Sequence, residues 1–222
     1  MASDSQLLDH VDLAAFDDGI ARRRPDAETR ARFRRDGFVE LADLWTPAVS
    51  LALADEARSR FERAEVPAHG PRTPVTEPRY TGRATPVAHG PVLDELHERL
   101  AGHVRALSGR LLVPSFANYG YFPDEDGVIL HVDTDATEVV VLTNALGDVG
   151  PLHVHPDLVG RTAAELGALE SDPTWDTTSS RRLEYPRHGA AALRGARLPH
   201  RRPSQPVASL SAVAALHYRS PF

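Results

Sequence analysis

The chain contains no cysteine and no lysine. Without cysteine there is no thiol nucleophile, no disulfide, and no cysteine-ligated zinc or iron–sulfur cluster. All 25 basic residues are arginine. That excludes Schiff-base catalysis, lysine-anchored pyridoxal phosphate and the lysine of nucleotide-binding P-loops. A GC-rich genome would give the same arginine bias without any bearing on the chemistry. Long apolar runs are missing too: none approaches the roughly 20 residues of a membrane helix. The opening "MASDSQLLDHVDLAAFDDG" is acidic and lacks the basic-then-apolar order of a secretion signal, so a cytoplasmic location is expected. A net charge of −6 gives no general attraction to nucleic acid or to an anionic membrane.

What remains for chemistry is His, Asp, Glu, Arg, Ser, Tyr and Asn, with 11 histidines among 222 residues. That length and 41% hydrophobic content suit one globular domain spanning 1–222. Residues 1–24 are polar and read as a peripheral arm. A short helix is expected from Asp26, an N-cap, to Gly37, a C-terminal stop, followed by a strand at 38–41. Thr46 and Pro47 open a second helix with Val49, Leu53, Ala57 and Phe61 in one stripe. Residues 67–90 are dense in proline and glycine; with Arg72, Arg79, Tyr80 and Arg83 they read as a connector or as a lid that contacts substrate. A third helix carries Leu93, Leu96, Leu100, Val104 and Leu107 and stops at Gly109. Beyond 110 the chain breaks into short β-rich runs, interrupted at 156–186 by a polar segment with a helix at 162–170. Helices followed by many short antiparallel strands predict an α+β, mainly β fold: a double-stranded β-helix, or jelly-roll barrel.

Within "LHVDTDATEVVVLTN" (130–144), His131 and Asp133 are two apart. In a strand they share one face, as two metal ligands or as a buried hydrogen-bonded pair. His200, in "RGARLPHRRP", is followed by a last apolar strand that can return it to them. A rival pattern is His153 and His155 in "PLHVHP", which is similar to cupin metal sites but lacks their glutamate. His188 and His217 read as packing or rim residues.

Taken together, "FRRDGFVELADLW", "NYGYFPDEDGVILHVDTD" and "RGARLPHRRP" with its final strand resemble the non-haem iron(II), 2-oxoglutarate-dependent oxygenases, over roughly 31–222. The resemblance implies that His131, Asp133 and His200 hold Fe(II), leaving three positions for 2-oxoglutarate and O2. It implies oxidation of an unactivated carbon: hydroxylation, desaturation or cyclisation. Halogenation is disfavoured, since related halogenases replace the carboxylate that Asp133 supplies. The short chain suggests a small-molecule substrate such as an amino acid, in secondary metabolism.

One departure stands out. The family holds the distal carboxylate of 2-oxoglutarate with an arginine about ten residues beyond the distal histidine, and here that stretch reads "VASLSAVAAL". Arg202, on the same strand face as His200, is the candidate replacement, with Thr143 as a hydroxyl partner. Tyr121 and Arg79 are the candidate substrate contacts. The alternatives are a cupin-type metalloenzyme using His153 and His155, and a non-catalytic barrel. Sequence alone leaves the oligomeric state open.

Overall fold

The computed structural model describes residues 19–20, 24–63, 80–81, 85–88, 90–122, 127–203 and 210–222. The arm at 1–18 and residues 64–79, which include Arg72 and Arg79, lie outside them. Helix α1 (Ala27–Asp36) starts where the Asp26 carboxylate accepts from the Thr29 amide at 2.7 Å, and ends at Gly37 in the left-handed region. Strand β1 (Phe38–Leu41) follows, then α2 (Pro47–Arg63). Within the expected 67–90 connector lie two strands, β2 (Tyr80–Thr81) and β3 (Thr85–Ala88). They pair on the edges of two different sheets, so this stretch is partly built into the barrel. Helix α3 (Pro91–Ser108) closes at Gly109.

The remaining elements are β4 (Val113–Phe122), β5 (Gly127–His131), β6 (Val139–Leu146), β7 (Leu152–Val154), a 3-10 turn (Pro156–Leu158), α4 (Ala163–Glu170), β8 (Arg181–Leu183), β9 (Ala190–Leu193), β10 (His200–Arg202) and β11 (Ser211–Arg219). They form two antiparallel sheets, β1-β9-β6-β11-β4-β3 and β2-β5-β10-β7-β8. This is the jelly roll expected from the sequence.

Three cores follow from strand alternation. On one face of the six-stranded sheet, Tyr119, Tyr121, Val141, Ala214 and Leu216 pack with Leu53 of α2 and Leu93, Leu96 and Leu100 of α3. Between the sheets, Val140, Ala191, Leu193 and Ala215 meet Leu152, Val154 and Leu183, while Phe122 meets Val149 and Val213. Behind the five-stranded sheet, Leu130 packs with Leu158 and Leu166 under α4, flanked by Trp175. The space between the sheets is therefore walled on both sides, and it holds the candidate site.

Candidate metal centre

His131 and His200 are direct partners across the β5–β10 ladder. Each ring donates its Nδ1–H to the carbonyl two residues earlier, Ile129 and Leu198, at 2.8 Å. A carbonyl only accepts, so the proton sits on Nδ1, and in the neutral ring Nε2 carries the lone pair. Both Nε2 atoms turn toward Asp133 Oδ1, at 3.5 Å from His131 and 3.8 Å from His200. One ligand atom from each of the three lies within 4.8 Å of the others.

Asp133 arrives by a different route from the one its spacing suggests. Strand β5 ends at His131, so simple alternation does not place Asp133. Its amide instead donates to the Gly195 carbonyl at 2.9 Å, and Ala196 donates to the Thr137 carbonyl at 3.0 Å. These bonds lace the loop after β5 to the turn before β10. The Thr137 hydroxyl lies 3.0 Å from His217 Nδ1, which braces the same loop.

Asp133 is almost wholly buried, and its Oδ2 has no hydrogen-bond partner among the described residues. Burial would raise its pKa, but the contact with His131 and the proximity of His200 and His217 outweigh it. The carboxyl is held well below the usual carboxylate range. Two imidazole lone pairs and a carboxylate converging on one point, with a buried acceptor oxygen left over, form a donor set that a divalent cation satisfies. The backbone bonds at both Nδ1 atoms are the outer-shell pattern that orients metal-ligating histidines. The residues fit a two-histidine, one-carboxylate metal.

Arg202 lies on the His200 side of β10, as alternation predicts, whereas Arg201 points the other way, to Glu170 and the Trp175 ring. Arg202 is buried; its guanidinium stacks 3.5 Å over the Phe122 ring and donates to the Val149 carbonyl at 2.7 Å. Tyr185 packs into the same two inter-sheet clusters. Burial pushes its hydroxyl pKa up, against the opposing pull of Arg202.

Two expected contacts do not face this space. The Tyr121 hydroxyl donates to the Ala57 carbonyl at 2.7 Å, within the helix-facing core. Alternation on β4 is as expected, but the inward face belongs to Phe122. Thr143 follows suit: it shares the face of Val141 and Ala145, and its hydroxyl donates to the Gly189 carbonyl at 2.7 Å. On β6 the inward residues are Val140 and Leu142. Arg79 is outside the described residues.

The rival histidines do not join the cluster. His153 Nδ1 contacts the Ser180 hydroxyl at 3.1 Å. His155 is fully buried against Trp175, and neither ring nitrogen has a partner among the described residues. Among those residues the sole metal-capable group of three is His131, Asp133 and His200. Sequence reasoning passed over Tyr185, Gly195, and the Thr137–His217 brace; each comes together only through the sheet pairings.

No protein-family model matches the sequence, and no curated protein matches it either. Solved structures do match by shape. The non-haem alpha-ketoglutarate-dependent epimerase SnoN from nogalamycin biosynthesis has a TM-score of 0.65 at 15% identity, covering 87% of this chain and 82% of its own. HygX from Streptomyces hygroscopicus, solved with nickel and 2-oxoglutarate bound, has a TM-score of 0.63 at 14% identity, covering 90% and 89%. A prolyl-4-hydroxylase from Pseudomonas putida has a TM-score of 0.59 at 13% identity, covering 88% and 99%. The chain has the double-stranded β-helix fold of the 2-oxoglutarate-dependent oxygenases, with a His-Asp-His cluster between its sheets.

Proposed function

We propose that the chain is an iron(II)- and 2-oxoglutarate-dependent oxygenase acting on an unactivated carbon of a small metabolite. The observation that carries this reading is the convergence of two backbone-fixed imidazoles and one buried carboxylate inside this fold. His131 and His200 would hold iron through Nε2, and Asp133 through its carboxylate. When bound, iron with 2-oxoglutarate and O2 supplies oxidation of a C–H bond coupled to decarboxylation of the cosubstrate.

The protein's own residues bind, orient and exclude water. Arg202 lies two residues further along β10 than His200, about 7 Å by strand rise. Its buried guanidinium suits the distal carboxylate of 2-oxoglutarate. Phe122 keeps the guanidinium plane in place, Val149 holds one of its nitrogens, and Tyr185 stands nearby as a neutral hydroxyl. Val213, Val149 and Leu142 line the surroundings with apolar surface, which strengthens a charge-assisted contact there. The carboxylate at Asp133 favours hydroxylation, desaturation or ring formation over halogenation.

Chain length does not separate a metabolite from a peptide substrate, because a prolyl hydroxylase from Trichoplax adhaerens solved in complex with a peptide fragment is matched over 87% of its own chain. The matches to the epimerase SnoN and the carbocyclase SnoK, both from nogalamycin biosynthesis, support a secondary metabolite.

The test is anaerobic addition of Fe(II) and 2-oxoglutarate to the purified chain, followed by visible absorption. A weak metal-to-ligand charge-transfer band in the wild type, absent from His131→Ala, is the expected result. Iron binding without the band would remove 2-oxoglutarate from the reading; no iron binding would remove the metal centre itself.

A further inference from the structure

Glycine 195 sits in the turn between β9 and β10, five residues before His200. Its backbone φ is not in the left-handed region, so conformation does not call for glycine there. Space does. A Cβ at position 195 would overlap Asp133 Oδ2, with Asp133 Cγ at 2.9 Å and Cβ at 3.2 Å. The three atoms it would come nearest all belong to the Asp133 side chain. The Gly195 carbonyl also accepts the Asp133 amide, so this one residue holds the backbone of Asp133 and leaves room for its side chain.

We infer that Gly195 is a positioning residue of the metal centre, needed to let the Asp133 carboxylate reach the two Nε2 atoms; this rests on the iron reading above. An added methyl chiefly meets Oδ2 and Cγ of a rotatable side chain, which can swing aside, while the Asp133 Cβ at 3.2 Å need give by only a few tenths of an ångström. The fold then survives while the third ligand is lost. That separates Gly195 from Gly189, where an added Cβ would strike the Leu41 carbonyl and Ala42 Cα of the backbone.

The experiment titrates Fe(II) anaerobically into the full chain, with affinity read by chelator competition, and records the melting temperature of the metal-free protein. Gly195→Ala should weaken Fe(II) binding by about 10–100-fold, the usual effect of disturbing an outer-shell group. Its metal-free melting temperature should stay close to wild type. Gly102→Ala, on α3 with nothing within 4 Å of the new methyl, should leave affinity unchanged. In an Asp133→Ala background, which has no Fe(II) affinity left to lose, Gly195→Ala should not lower the melting temperature further, because the two closest atoms, Oδ2 and Cγ, are gone.

Wild-type affinity in Gly195→Ala, or a large drop in its metal-free melting temperature that persists without Asp133, overturns the inference while the iron reading stands. A wild type that binds no Fe(II) overturns both. Should Gly195→Ala fail to fold, the double variant decides. Refolding on removal of Asp133 supports the clash, and continued failure overturns it.

Discussion

Glu56 and Asp133 are both buried carboxylates, and they lie on opposite faces of the six-stranded sheet. Glu56, on α2, accepts from the Val92 and Leu93 amides at 2.9 and 3.0 Å and from the Tyr119 hydroxyl at 2.8 Å. It thereby caps α3, whose N-cap Gly90 has no side chain to do so. A Cβ at Gly90 would overlap the Glu56 carboxylate, as one at Gly195 would overlap that of Asp133. The two sites share a device, a glycine that admits a buried acid. They differ in what the acid meets. Glu56 meets three protein donors; Asp133 meets two imidazole nitrogens that in the neutral ring are themselves acceptors, and its Oδ2 has no partner among the described residues. One carboxylate completes the fold and the other presents a donor set to a cation.

Asp133→Ala and Glu56→Ala should separate cleanly. The first should abolish Fe(II)- and 2-oxoglutarate-dependent turnover, assayed as succinate release, with a smaller loss of metal-free stability than the second, since the imidazoles favour the carboxylate at Oδ1 while Oδ2 has no partner among the described residues. The second should lower stability by about 2–4 kcal/mol in urea denaturation, by orphaning two helix amides and a tyrosine hydroxyl. A stability loss in Asp133→Ala as large as in Glu56→Ala would break the comparison.

His155 sharpens it from the side of pH. Burial, with Arg201 nearby, pushes its pKa down from 6.5 to about 4. The unfolded chain therefore binds a proton between those values and the folded chain does not. Stability should be full above about pH 6.5 and fall as pH drops toward 4, by up to about 3 kcal/mol. His155→Phe should flatten this part of the metal-free stability profile. An unchanged profile would contradict the assignment of His155 as a buried neutral ring.

Arg202→Met should raise the apparent KM for 2-oxoglutarate by about 10–100-fold, the worth of a charge-assisted contact, with Fe(II) affinity little changed. A variant with unaltered KM would place the distal carboxylate elsewhere. The smallest effect is expected at Tyr121. Tyr121→Phe loses one hydrogen bond to Ala57 and should cost about 1 kcal/mol of stability, with no change in KM for either substrate.

These residues also show how far the sequence could be read. Helix ends were legible because Asp26, Gly37 and Gly109 act through local geometry. The side of β10 on which Arg202 lies was legible because a strand alternates and His200 fixed its phase. Tyr121 and Thr143 were read on the wrong face: alternation says which residues share a face, and only packing against α2 and α3 says which face turns from the barrel. Asp133 was legible as a member of the His-Asp-His cluster by its pattern but not by the way it gets there, because its position depends on a bond to Gly195, 62 residues away in sequence. Tyr185 and the Thr137–His217 brace depend likewise on long-range pairings that no local signal encodes.

The most direct test measures unfolding free energy with and without Fe(II), under anaerobic conditions, for wild type, Glu56→Ala and Asp133→Ala. A ligand bound only by the folded state adds about 2.7 kcal/mol at a free concentration of about 100 times its Kd. The account predicts that increment for the wild type, the same increment on a lower baseline for Glu56→Ala, and none for Asp133→Ala. No increment in the wild type, or an equal one in Asp133→Ala, would contradict it.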